Sequence, residues 1–211
     1  MYRDLITIGQ YYCFMEETGY PAPMDPSVHG TRNSAWLDGK PKPGTEQLPV
    51  SSVSWMILSL IVIGRKQVTE RSRMEYAAAG AVGRVFPWGN SWDPKACRCA
   101  EETANLLFKT NTDWKSWLNG GGKQSNGLYP DSSWLALHNP QVDGPTRAGL
   151  YPKDTTWCGI RDMAGQVREW CSDCMIRITI KKSKRHNPLG PKEHGSNTGT
   201  PPARVMRGAP G

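Results

Sequence analysis

Hydrophobic positions fall into a few short clusters separated by long polar stretches rich in Gly and Pro. In residues 6–20 (ITIGQYYCFMEETGY), Tyr11, Phe14 and Met15 recur at helical spacing, and Gly19 and Pro21 stand where a helix must stop. This predicts a short strand or turn followed by one helix. Residues 21–50 hold six prolines and no helical period, which predicts extended loop anchored by Trp36. Val50 to Trp55 reads as a short strand or the beginning of a helix. Met56 to Ile63 is apolar all round, whereas a surface helix should keep one polar face. TERSRMEYAAA predicts a helix that starts at Thr69 and is capped by Gly80. From Phe86 to Trp157 the pattern reads mostly as loop, with a turn at Gly120-Gly121-Gly122, and no internal repeat is visible.

Composition sharpens this picture. With 22 Gly and 17 Pro in 211 residues, the chain should be dominated by turns, and its nine Trp argue against disorder. The length favours one domain, residues 1–211, with a real core. No stretch approaches the roughly 20 apolar residues of a bilayer crossing. The N-terminus lacks the basic start and apolar core of a signal peptide, so cytoplasmic is the default expectation. The net charge of +7 raises nucleic acid as a partner, but five of the cations sit between Arg177 and Arg185, a local run that reads as a solvated face. Neither nucleic acid nor a membrane is an expected partner; the oligomeric state stays open.

Several phrases stand in a telling order: ITIGQYYCFMEETGYP, LPVSSVSW, TERSRMEYAAAG, FPWGN, GIRDMAGQVREWCSD and RVMRG. Together they resemble the successive signatures of the formylglycine-generating-enzyme (sulfatase-modifying factor) family, from near the first residue to Gly208. The resemblance implies a C-type-lectin-like α+β fold, loop-rich with little regular secondary structure. It implies a parent activity in which the cysteine of a protein or peptide such as a sulfatase is oxidised to formylglycine. Other members of the family are iron-dependent sulfoxide synthases and non-enzymatic ligand-binding proteins, which supply the alternative readings.

The phrase from Asp162 to Trp170 carries the candidate chemistry. Asp162 and Glu169 are hard carboxylate donors seven residues apart, and the carbonyls of Gly165 and Val167 between them would complete the oxygen mixture that calcium prefers. The resemblance implies a structural calcium site at these four positions; the competing reading makes Asp162 a turn cap and Glu169 the partner of an Arg. A second calcium site is implied at Asn105 and Leu106 with a downstream acid, either Asp131 or Asp143.

The family's catalytic machinery is a copper-binding cysteine pair beyond an Arg-Gly-Gly-Ser-Trp phrase, and soft thiolates suit Cu(I). This chain ends at Arg207-Gly-Ala-Pro-Gly211, so it reads as C-terminally incomplete, none of its six cysteines takes the catalytic role, and inactivity is expected. Cys171-Ser-Asp-Cys174 has half-zinc-site spacing, but Cys97 and Cys99 are one residue too close to supply the other half, which leaves isolated thiols. His29, His138, His186 and His194 show no spacing for an iron site. Three anomalies convert back to family phrases when a single base is restored: the last four residues, the stretch from Cys174 to Lys182, and Val62 to Val68. Reading-frame shifts are therefore expected there, and intact triplets through Met175 to Ile180 in a resequenced gene would remove that reading.

Overall fold

The computed structural model describes residues 2–23, 35–63, 68–119, 145–174 and 203–208. The first helix, α1 (Ile8–Thr18), opens on a reciprocal cap in which Thr7 Oγ1 accepts from the Gln10 amide and Gln10 Oε1 accepts from the Thr7 amide. It closes on Gly19, whose φ of 70° lets its amide return to the Met15 carbonyl at 2.8 Å. Its inner face buries Ile8, Tyr11 and Met15; of the predicted positions, Tyr11 and Met15 are buried and Phe14 is half-buried. The Tyr11 ring is fully buried edge-on to Trp36, with centroids 5.9 Å apart, so Trp36 does anchor the following segment. Ahead of the helix, Val50 N donates to Ile6 O and Ile8 N to Leu48 O, which ties the N-terminal strand-like turn to residues 48–50.

Within the predicted loop lies a small hairpin, β1 (Trp36–Leu37) against β2 (Lys40–Pro41). Asp38 and Gly39 form its turn with φ of 50° and 76°, the Asp-Gly chemistry that a two-residue hairpin requires. Val50 to Trp55 proves to be the lead into helix α2 (Trp55–Ile63), where Ser54 Oγ accepts from the Ile57 amide. Met56 on α2 is 66% exposed and Leu60 39%. The next helix, α3 (Arg71–Ala79), begins two residues later than Thr69, and its N-cap Glu70 makes no side-chain cap bond. Asp173, 102 residues away in sequence, serves instead, accepting from the Arg71 amide at 2.6 Å. Gly80 does cap the other end, with its amide on Tyr76 O and φ of 67°.

The stretch expected to be loop contains two more helices, α4 (Ala100–Ala104) and α5 (Asn111–Asn119). Before α5, Thr110 Oγ1 accepts from the Asp113 amide and Asp113 Oδ2 from the Thr110 amide, a capping box with Asp in the place of Glu. The expected turn at 120–122 lies outside the described residues. Strand β3 (Glu169–Cys174) pairs antiparallel with β4 (Arg204–Arg207), Glu169 opposite Arg207 and Trp170 opposite Met206. Between α3 and this ribbon sits a core of Met74, Ala77, Met163 and Cys171, with Ala78, Ile160 and Val205 packed on it. Among the described residues, short helices, two two-stranded ribbons and connecting loops make a mixed α and β architecture. No helix among the described residues is long and apolar enough to cross a membrane.

Candidate metal centre

Residues 145–169 are held by side chains reaching backbone rather than by a sheet. A short 3-10 turn, Pro152–Asp154, presents Asp154, which is completely buried. Both of its carboxylate oxygens accept from the Ala164 amide at 3.1 Å, and the neighbouring Met163 and Gly165 amides also donate toward it. The Asp162 amide donates to the Asp154 carbonyl at 2.9 Å. Gln166, in the left-handed region at φ 64°, places its amide on Arg98 O at 3.1 Å. Its side chain exchanges two hydrogen bonds with Thr146, accepting from the backbone amide at 2.9 Å and donating to Oγ1 at 3.0 Å. Gly165 lies so close to the Arg98 carbonyl that a Cβ would collide with it, which is why a glycine stands there.

Asp162 is 1% exposed and left-handed at φ 60°, a conformation that Asp tolerates better than most residues. Its Oδ2 accepts from the Gly149 amide at 2.5 Å, while its Oδ1 is buried with no hydrogen-bond partner. Glu169, the first residue of β3, is partly buried. Burial pushes its carboxyl up to about 7, helped by the negative charges of Asp162 and Asp154. Burial likewise raises Asp154 to about 7 against its backbone donors, with the Asp162 charge adding to the rise, and burial raises Asp162. The Asp162 charge thus disfavours ionisation of both Asp154 and Glu169, a repulsion that a cation among these acids would relieve.

Asp162, Gly165 and Val167 thus lie on the bent segment that leads into β3, which Glu169 begins. Among the described residues no group of three or more His, Cys, Asp or Glu side chains is arranged to hold a metal. A cation held here would therefore draw most of its ligands from the main chain. Asp154, Arg98, Thr146 and Gln166 were not singled out from sequence, because their role is to tie this turn to segments 8 to 68 residues distant. The one local hint is Pro152, which starts the 3-10 turn that delivers Asp154.

Asn105 is buried and ends α4 in the left-handed region at φ 53°, its amide on the α4 carbonyls of Glu101 and Glu102. Leu106 follows, its amide on Glu101 O. Asp131 and Asp143 lie outside the described residues. The four histidines also lie outside them.

Of the six cysteines, Cys13 and Cys158 are exposed, and Cys97, Cys99, Cys171 and Cys174 are buried. A hydrogen bond with Cys99 and burial push the Cys97 thiol far up, and burial raises Cys171 to about 11. Above Glu169, a cavity of about 660 Å³ opens between the N-terminal segment, residues 49–53 and the ribbon, with Leu5, Val53, Leu58, Ile61 and Trp170 on its walls.

The chain's phrases are those of a domain of the sulfatase-modifying kind, and its mixed α and β build agrees with that. The family described as sulfatase-modifying factor enzyme 1-like domain matches residues 1–209, and the chain belongs to that family. No curated protein matches it.

Proposed function

We propose that this chain carries a formylglycine-generating type of domain, directed at a cysteine in a protein or peptide such as a sulfatase, with a structural calcium site at Asp162, Gly165, Val167 and Glu169. One observation carries the calcium assignment: Asp162 is 99% withdrawn from solvent yet its Oδ1 has no donor, seven residues before the partly buried Glu169. An unpartnered buried carboxylate oxygen is costly, and a hard cation offsets that cost. Bound calcium would neutralise the acids and tie the 145–169 loop to β3, a stabilising task in a fold with few regular elements. Asn105 and Leu106 are proposed as part of a second such site.

Cu(I) takes thiolates, and burial that pushes the Cys97 and Cys171 thiols up makes these two poor ligands for it. The chain as it stands is therefore expected to leave a Cys-x-Pro-x-Arg peptide thiol unoxidised in the presence of Cu(I); formation of an aldehyde would overturn that part. Calcium at about a hundred times its dissociation constant should raise the melting temperature by roughly 5–10 °C over chelator. Glu169→Ala should abolish the gain, and a variant with the wild-type calcium response would remove Glu169 from the site.

The apolar cavity favours a second reading, a non-enzymatic ligand-binding domain on the same scaffold. Trp170 on its wall would report an apolar ligand by its fluorescence.

A further inference from the structure

We infer that Asp154 is a positioning residue for the cation site, holding the turn's backbone so that the oxygens of residues 162–169 face one point; this rests on the calcium reading above. The evidence is the pattern of anchoring. The Asp162 amide is bonded to the Asp154 carbonyl, the Ala164 amide to both Asp154 carboxylate oxygens, and the Gln166 amide to the Arg98 carbonyl. The amides of residues 162, 164 and 166 are thus fixed to groups outside the turn, and Asp154 fixes two of the three, one through its carbonyl and one through its carboxylate. Successive peptides restrained in this way cannot rotate independently, so their carbonyls keep a set orientation without any ion. Asp162 and Gln166 both hold left-handed φ inside this frame. Such a conformation persists in non-glycine residues only when surrounding bonds over-determine it.

Both oxygens of the Asp154 carboxylate are already engaged, whereas Asp162 has its Oδ2 engaged by the Gly149 amide. Asp162 Oδ1 is the buried oxygen left without a donor, so the two acids have different tasks: Asp162 offers an oxygen to the ion, and Asp154 orients the chain that brings the other oxygens. Outer partners of this kind typically change metal affinity by 10–100-fold when removed.

The test uses Tb³⁺ in place of calcium, with luminescence sensitised by Trp170 next to Glu169, on the full chain. Asp154→Asn keeps the size and one acceptor oxygen, but removes the charge and sets an NH2 where the second oxygen shares the Ala164 N–H. It should weaken Tb³⁺ by about tenfold or more. It should also shorten the emission lifetime in H₂O relative to D₂O, because waters replace misplaced carbonyl ligands. Asp154→Ala should go further. Affinity and lifetime within twofold of wild type for Asp154→Asn would overturn the inference even if Asp154→Ala does not fold. Wild-type protein that takes up neither Tb³⁺ nor calcium would instead bring down the calcium reading itself, with this inference.

Discussion

At the scale of single residues, burial decides which of several identical side chains can do chemistry. The six cysteines are indistinguishable as letters, yet four are sealed and two face solvent. With Cys171 raised to about 11, roughly one molecule in a thousand carries its thiolate at pH 8. Iodoacetamide at pH 8 should therefore label Cys13 and Cys158 in the native protein and reach Cys97, Cys99, Cys171 and Cys174 only in denaturant, as read by peptide mass spectrometry. Labelling of Cys97 at native rates would show that the 94–99 loop opens. The same logic separates the acids: Asp162 and Glu169 stand out in sequence by their phrase, whereas Asp154 stands out only once its donors are seen.

At the scale of elements, the helix ends at Gly19 and Gly80 were legible in the sequence because one residue type carries each. Thr7 with Gln10, Gly19, Gly80 and the Thr110–Asp113 pair all follow rules readable in the chain, although the last was hidden inside a stretch that reads as loop. Helix α3 shows the limit. Thr69 looks like a start, but Asp173 supplies the cap acceptor from another element, and the helix begins where that bond falls. Strand β3 gave no alternating pattern because it is buried on both sides in places, with Cys171, Asp173 and Cys174 all buried. The turn that feeds it depends on Gly165. Replacing it with Ala would push a methyl into the Arg98 carbonyl, with an expected cost of about 1–3 kcal/mol in guanidinium unfolding and loss of the calcium-dependent gain. An unchanged midpoint would mean that residues 98 and 165 are not in contact.

At the scale of the whole molecule, the N-terminal segment is fastened to the site from the far end of the chain. The Arg161 guanidinium donates to Asp4, 157 residues away, and the Arg161 amide donates to Arg3 O at 2.9 Å. That hydrogen bond lowers the Asp4 carboxyl below its ordinary 3.8. A lowered carboxyl stabilises the fold above its unfolded value and loses that contribution as pH falls through the folded one. Asp4→Asn should thus melt below wild type at pH 7, and the gap should close as pH falls below about 3.8; a gap that persists there would assign the loss to packing rather than charge. The sequence alone determined the family, the loop-rich character, helix α1 and the pairing of Asp162 with Glu169 on one short phrase, because each is set by residue order or by bonds spanning a few positions. Only the tertiary structure decided which oxygens are buried without donors, which thiols are sealed, and that Asp154, Arg98 and Thr146 frame the turn. Those properties depend on groups brought together across tens of residues, where no local period or spacing records them.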